Sequence, residues 1–284
     1  MKRALVTIGG GYGSVLLATP VVAAVRELGY ETDLLIESSR YDAATMLSGW
    51  DAVETFYLDR VSLRRNEGSR GYTAVVRTAR HDGPPLHLGP EFRPAKLAAG
   101  AHEAEVNFSA ARALGYDEPM PPVHVEAQEP ICPLPARFLV VAPGCERRAG
   151  QRHKLNAWSQ WPALCKALHR RLGLQVVLLG EEDERAAWMG AHPEWLHDLY
   201  GHTSVRSAAG VIAASDGVVG VVNVLAHMGA ALGKPVTAIC ARPDDTTTAP
   251  LGESVRLLEP VDVARLDIEE MLEAISYEEM SLAV

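Results

Sequence analysis

Residues Ser215–Pro235 read SDGVVGVVNVLAHMGAALGKP, an apolar run followed directly by small residues at helical spacing. The run Asp216–Val222 predicts a short buried strand. Leu225–Leu232 predicts a helix, which Gly233 closes. A strand that leads straight into a helix is the unit from which parallel sheets with helical faces are built, so this stretch indicates an α/β fold.

The start of this predicted helix is a candidate anion site. Asn223 and Val224 turn the chain from strand to helix. The free backbone N–H groups at a helix start carry a partial positive charge that suits a phosphate. His227 lies in the first helical turn, where its ring can reach the same anion. The alternative is an ordinary strand–helix unit with a hydrogen-bonded histidine.

Composition restricts the class of protein. With 284 residues, 48% of them hydrophobic and 22% charged, the chain is globular and long enough for two ordinary domains. A net charge of -9 argues against nucleic acid and anionic membranes as general partners.

No apolar run reaches the roughly 18 residues of a spanning helix. The start, MKRALVTIGGGYG, predicts a strand rather than a signal peptide. The four cysteines form no C-x-x-C pair, so we expect a cytoplasmic protein without a zinc site or disulfide framework.

The same strand–helix rhythm occurs twice along the chain. It predicts one domain at residues 1–130 and a second at 136–262, with a proline-rich linker between them. Residues 263–284 predict a terminal helix that packs back on the first domain. In the first half, the strand is followed by a glycine run and by a helix that Pro20 interrupts.

Three blocks of sequence resemble glycosyltransferase family 9, which contains the lipopolysaccharide heptosyltransferases. The first is Gly13–Pro20, which is similar to the family's G-D-hydrophobic-x-x-T-P. The second is Val141–Gly144 with Lys154 and Trp158 or Trp161-Pro162, which is similar to P-G-(loop)-K-x-W-P. The third is Leu199–Ser204 followed by Asp216–Pro235. The third block is similar to G-x-T-S-(helix)-D-S-G-x-x-H-x-A-A-A-L-G-x-P. The order of the three blocks, more than any one of them, carries the resemblance.

The resemblance implies the GT-B fold, two Rossmann-like domains whose parallel sheets face each other across a cleft. It implies that the C-terminal domain binds a nucleotide-diphosphate sugar, that the N-terminal domain binds the acceptor, and that neither a cofactor nor a metal is needed. The residues that we expect at the donor are Lys154, Glu184, Thr203, Asn223, Val224 and His227. Gly11 and Gly13 belong to a loop that lets backbone approach a ligand, or simply to a tight strand–helix turn.

Several of these assignments have competing interpretations. Lys154 lies in a basic loop, which could bind phosphates or could simply be solvated. Glu184 follows a predicted strand end, where a carboxylate can bind ribose hydroxyls, but Glu181, Glu182 and Asp183 compete for that role. Thr203 matches a family position near the nucleoside. The acidic and threonine-rich stretch 244–248 also follows a strand end, either as a ligand contact or as an ordinary turn.

Two departures from the family concern catalysis. The acidic residue after the opening glycine, the family's proposed base, is Ser14 here, and the acidic residue before the central helix is Val222. A serine hydroxyl is a poor base unless another group activates it. We therefore expect a substitute base, with His81 oriented by Asp82 as the first candidate, because histidine titrates near pH 7. Glu37, at the end of the second strand, is another candidate, and a surface loop remains the alternative for His81.

The sequence thus predicts a metal-independent glycosyltransferase that uses a nucleotide-diphosphate sugar and an unidentified hydroxyl acceptor. The alternative is a non-catalytic nucleotide-sugar-binding protein of the same fold, which Ser14 and Val222 favour. A nicotinamide-dependent oxidoreductase fits poorly, because the glycines after the first strand are spaced G-G-G-x-G rather than G-x-G-x-x-G.

Overall fold

The computed structural model describes residues 2–38, 41–47, 55–66, 71–81, 84–130, 132–144, 158–182, 193–240, 245–259 and 263–275. The chain divides into two compact units, Met1–Glu126 and Ala127–Val284. The sequence placed the end of the first domain at residue 130. Gln128 already belongs to the second unit, where its backbone N–H donates to the carbonyl of Arg206 at 3.1 Å. Each unit has its own parallel sheet with helices, which confirms the predicted α/β class.

Within the described residues, the first unit contains a sheet of five parallel strands. They are β1 (Lys2–Gly10), β2 (Tyr30–Ser38), β3 (Thr55–Tyr57), β4 (Ala74–Arg77) and β5 (Glu91–Phe92), in the spatial order β3-β2-β1-β4-β5. The central strand β1 is buried from residue 4 to residue 9. A strand covered on both faces needs such a continuous apolar run, which is why the first strand was recognisable in the sequence.

In the described part of the first unit, four α-helices accompany these strands. They are α1 (Tyr12–Leu17), α2 (Thr19–Glu27), α3 (Arg60–Asn66) and α4 (Glu103–Leu114). The predicted interruption at Pro20 is confirmed, because α1 ends before it and α2 begins one residue earlier, with the proline in its first turn. A proline is tolerated there because the N–H that it lacks has no partner inside the helix.

The second unit has a sheet of six parallel strands in the part of the chain that is described. They are β6 (Phe138–Ala142), β7 (Gln175–Leu178), β8 (Leu196–Asp198), β9 (Gly217–Val221), β10 (Val236–Ile239) and β11 (Val255–Leu258), in the spatial order β11-β10-β9-β6-β7-β8. Its helices are α5 (Trp161–Leu172), α6 (Val205–Ala214), α7 (Val224–Ala231) and α8 (Ile268–Ala274). Residues Ser215–Pro235 contain β9 followed by α7, as predicted from the sequence.

Both sheets contain a topological switch point. In the first sheet the chain continues from β1 to β2 on one side and later adds β4 on the other side. In the second sheet β7 and β9 flank β6 in the same way. Ligands of open α/β sheets bind outside the carboxyl ends of the strands at such points. The two sheets therefore offer two crevices for ligands, one at the ends of β1 and β4 and the other at the ends of β6 and β9.

The terminal segment contains α8, which packs into the core of the second unit. Met271 and Leu272 of α8 are buried in the hydrophobic core of the second unit, together with Trp158 and Trp161. The indole N–H of Trp158 donates to the carbonyl of Leu266 at 2.8 Å. The described part of the segment, residues 263–275, therefore contributes to the hydrophobic core of its own unit, beside α5.

None of the helices within the described ranges is long and apolar enough to cross a membrane.

Candidate active site

In the second unit, Asn223 joins the two strand ends at the switch point. Its side-chain amide donates to the carbonyl of Gly144 at 2.6 Å and to that of Ala142 at 3.4 Å. Its Oδ1 accepts the N–H of Ala226 at 3.0 Å and so caps α7. We expected this amide to contact the donor directly. Its hydrogen bonds instead hold the turn after β6 against the start of α7.

The two strands approach closely at this point because Gly220 has no side chain. A Cβ at Gly220 would lie 2.4 Å from the carbonyl oxygen of Ala142. The helix start that follows leaves the N–H groups of Val224 and Leu225 for partners outside the helix. His227, one turn into α7, is 5% exposed. The crevice therefore combines backbone N–H groups with the positive end of a helix dipole, which together suit an anion.

The other predicted donor residues are placed as follows. Val222 is buried, and its N–H donates to the carbonyl of Ile239, so this position holds an apolar wall. Thr203 precedes α6 in a loop next to Gly201, whose N–H donates to Gly180 after β7. Asp245, after β10, is buried. Lys154, Glu184, Asp82 and residue 244 lie outside the described residues.

In the first unit, the glycines after β1 are explained by a close approach of backbone. A Cβ at Gly9 would lie 2.3 Å from the carbonyl oxygen of Arg80, so only glycine fits beneath the loop after β4. Gly10 has a φ of 96°, which also favours glycine. Gly11 is the N-cap of α1, and Gly13 lies inside that helix. These contacts agree with the interpretation of the glycine run as a tight strand–helix turn.

His81 is buried and held from both sides. Its Nδ1 lies 2.9 Å from Nη2 of Arg77, and its Nε2 contacts the carboxylate of Glu37. A guanidinium can only donate, so Nδ1 is an acceptor and the ring proton sits on Nε2, directed to Glu37. Burial lowers the pKa of His81; the Arg77 charge adds to this effect, and Glu37 opposes it.

This arrangement disfavours His81 as the base. Its side chain is only 1% exposed, and both ring nitrogens are already engaged. The carboxylate that the structure places on the ring is that of Glu37. Arg60 donates to Glu37 at 2.7 Å from the other side. Burial alone would raise the pKa of Glu37, but the Arg60 and His81 contacts hold it below its ordinary value.

Sequence reasoning missed the arginines of this region. Arg60, Arg77 and Arg80 each lie within a few residues of a strand end and contact Glu37, Glu91 and Glu103 respectively. The sequence did indicate these arginines, because basic residues near strand ends in a chain with a net negative charge are expected to pair with acidic side chains. The partners themselves come from elements distant in sequence, so they could not be assigned.

The neutral His81 predicts a specific dependence of stability on pH. The unfolded chain binds a proton at His81 near pH 6.5, whereas the folded protein binds it only at a lower pH. The free energy of unfolding should therefore fall as the pH drops below about 6.5, with a slope of at most about 1.4 kcal/mol per pH unit from this residue. Urea titrations between pH 7.5 and 5 should show a shallower slope for His81→Gln than for wild type.

The exposed His87 supplies the control for this prediction. His87→Gln should keep the wild-type slope, because its ring is not buried. An equal slope in wild type and in His81→Gln would contradict the assignment of a neutral, buried imidazole.

Comparison with known proteins gives consistent matches. The sequence profile of glycosyltransferase family 9 (heptosyltransferase) matches residues 96–265, more than half of the chain. The structure of E. coli ADP-heptose lps heptosyltransferase II superposes with a TM-score of 0.76 at 17% identity, covering 99% of each chain. E. coli heptosyltransferase WaaC with ADP superposes with a TM-score of 0.72 at 18% identity, covering 98% of this chain and 99% of that one.

A third similar structure is the glycosyl transferase family 9 protein from Veillonella parvula DSM 2008, with a TM-score of 0.75 at 13% identity, covering 100% of this chain and 98% of that one. A search of curated protein sequences finds no match. At these identities the structural likeness concerns the fold, and it confirms the predicted GT-B class.

Proposed function

The chain belongs to glycosyltransferase family 9 and is a glycosyltransferase, and on this premise we propose that it moves a sugar from a nucleotide-diphosphate sugar to an acceptor hydroxyl. We further propose that the transfer needs no metal ion, that the second unit binds the donor and that the first binds the acceptor. The crevice at the ends of β6 and β9 carries the proposal, because Asn223 fixes a helix start beside a buried turn there.

The donor that we expect first is an ADP-linked sugar. The similar heptosyltransferase WaaC was solved with ADP and with ADP-2-deoxy-2-fluoro heptose. In this chain the N–H groups at the start of α7 and the ring of His227 would bind the diphosphate. Lys154 would add a cation. These groups would compensate the negative charge of the leaving diphosphate without a metal ion.

The transfer is a substitution at the anomeric carbon of the sugar. The acceptor oxygen forms a bond to that carbon while its proton passes to a base. The bond between the anomeric carbon and the phosphate oxygen breaks, and the diphosphate leaves with the electron pair. Positive groups placed at the diphosphate lower the barrier because they interact most strongly with the charge that develops on the leaving group.

A second candidate function is nucleotide-sugar binding without catalysis. Two observations favour it: Ser14 and the buried Val222 stand where the family has acids. A catalyst should slowly release nucleoside diphosphate from its donor even without acceptor, because water can replace the acceptor. A binding protein should retain the donor intact.

A panel of ADP-, UDP-, GDP- and dTDP-sugars tests the proposed function. Ligand at a hundred times its dissociation constant should add about 2.7 kcal/mol to the free energy of unfolding, which a thermal-shift assay detects. Lys154→Ala and His227→Ala should each weaken binding of the diphosphate by about 1–3 kcal/mol, the range for a charged hydrogen bond. Turnover of the selected donor should persist in EDTA.

Lys166, exposed on α5, is the matched control, and Lys166→Ala should bind like wild type. Wild-type affinity in both Lys154→Ala and His227→Ala would show that the donor site is wrongly placed. Donor binding without any release of nucleoside diphosphate would favour the non-catalytic function.

A further inference from the structure

Glu103, the first residue of α4, is a buried carboxylate that is only half satisfied. The residue is 7% exposed. Its Oε2 accepts from Nε of Arg80 at 2.9 Å and pairs with Nη2 at 2.8 Å. Within the described ranges, its Oε1 accepts no hydrogen bond. Leaving a buried carboxylate oxygen without a partner is costly, so such a group calls for a functional explanation.

The direction of α4 relative to α1 and α2 can be read from two contacts. Near its start, the amide of Asn107 donates to the carbonyl of Leu17, the last residue of α1, at 3.4 Å. Beyond its end, the hydroxyl of Tyr116 donates to Glu27, the last residue of α2. The order of these contacts shows that α4 runs in the same direction as α1 and α2.

This direction places Glu103 and Ser14 at the same end of their helices. Glu103 lies one helical turn before Asn107, and Ser14 lies one turn before Leu17. Because Asn107 and Leu17 are in contact and the helices run the same way, both preceding turns lie toward the carboxyl end of β1, where Gly10 contacts Ser14. Helix α1 does pack against α4.

A second observation joins the same residues at Gly10. A Cβ at Gly10 would lie 2.8 Å from Oγ of Ser14 and 3.4 Å from Cβ of Arg80. Ser14 and Arg80, the partner of Glu103, therefore flank the same glycine at the carboxyl end of β1. This is the switch point of the first sheet, where a ligand of the first unit is expected.

We propose that Ser14 and Glu103 form a proton relay for the acceptor hydroxyl. The relay rests on the proposed function. The half-buried Ser14 meets the acceptor, and Glu103 acts through it as the positioning residue. The acceptor proton moves to Oγ of Ser14 while the Ser14 hydroxyl proton moves to Oε1 of Glu103. The acceptor oxygen then bonds to the anomeric carbon, and the diphosphate leaves with the electron pair. Arg80 holds the other carboxylate oxygen.

The chemistry of the two residues fits this assignment. Serine becomes useful in proton transfer when an adjacent base activates it. Catalytic hydrogen bonds are often long before substrate binds, so a free Oε1 in the protein alone is compatible with the relay. Glu37 is a weaker choice, because Arg60 and His81 occupy its oxygens and hold its pKa low.

Four variants test the relay with ADP-heptose as the first donor, or with whichever donor the thermal-shift panel selects. Glu103→Gln and Ser14→Ala should each lower kcat about 100-fold or more, the usual contribution of a proton acceptor. KM for the donor and binding of ADP should change less than twofold. The double variant should be no slower than the single ones, because both act on one proton. Glu105→Gln, in the same turn but exposed, should keep the wild-type kcat.

Rescue separates the relay from a structural role. Ser14→Asp combined with Glu103→Gln should have a kcat at least tenfold higher than that of Glu103→Gln alone, because a carboxylate then lies directly at the acceptor position. If Glu103→Gln is as fast as Glu105→Gln, or if Ser14→Asp rescues nothing, the relay is wrong while the transferase function stands. If wild type turns over no donor in the panel, the proposed function fails and the relay fails with it.

Discussion

Asn223→Ala is expected to lower the free energy of unfolding by about 2–4 kcal/mol and to weaken nucleoside-diphosphate binding at least tenfold. The change removes an N-cap, which is worth about 0.5–2 kcal/mol. It also leaves the buried carbonyl of Gly144 without its 2.6 Å partner, at a cost of about 1–3 kcal/mol. Urea denaturation and calorimetric titration with ADP measure the two effects.

Asn223→Ser separates the two roles of this side chain. A serine caps a helix about as well as asparagine does, but it is too short to reach Gly144 as well. The variant should recover most of the stability of α7 while binding of ADP stays weak. If Asn223→Ala binds ADP like wild type, the turn after β6 and the start of α7 do not form the donor site.

The elements that sequence predicted well are those whose signals are local. Helix α7 could be bounded because apolar residues precede it and Gly233 follows it directly. Helix α5, Trp161–Leu172, likewise has local signals, since its apolar spacing and the following Gly173 are both visible in the sequence. Such features depend on residues within one or two turns of each other, so no knowledge of strand order is needed.

The contacts around His81 could not be predicted because they depend on strand order. Glu37 is the last residue but one of β2 and His81 follows β4, and the sequence does not show that β1 lies between these strands. Gly9 of β1 is the residue in register with Glu37, and the loop that carries His81 crosses directly above it. The absent side chain of Gly9 is what allows the two residues to meet.

The same limit applies to Glu103 and to the terminal helix. An acidic residue in the first turn of a helix is common because it complements the helix dipole, so Glu103 carries no distinctive signal in the sequence. Its burial and its contact with Arg80 appear only when α4 is packed on the sheet. The apolar residues of α8 are visible in the sequence, but Trp158 and Trp161, which share its core cluster, are distant along the chain.

Arg77→Met is expected to lower the free energy of unfolding by about 3–5 kcal/mol, the range for breaking a buried charge pair from one side. Arg77 is 1% exposed. It pairs with Glu91 at 3.2 Å and donates to both Nδ1 and the carbonyl of His81. Methionine fills similar space without a charge, so the loss should reflect the missing partner rather than a cavity. Urea denaturation at pH 7.5 measures it.

The same variant should raise the pKa of His81. Arg77 lowers that pKa through its charge and occupies the nitrogen that would take a second proton, whereas Glu37 raises it. Without Arg77 the ring should therefore protonate at a higher pH, which an NMR titration of the imidazole can follow.

Arg93→Met is the matched control, because Arg93 contacts the same Glu91 at 2.7 Å but is 53% exposed. It should cost less than about 1 kcal/mol and leave His81 unchanged. A pKa of His81 that stays constant or falls in Arg77→Met would mean that Nδ1 does not accept from Arg77. The ring would then be free to take a proton, and His81 would return as a candidate for the base.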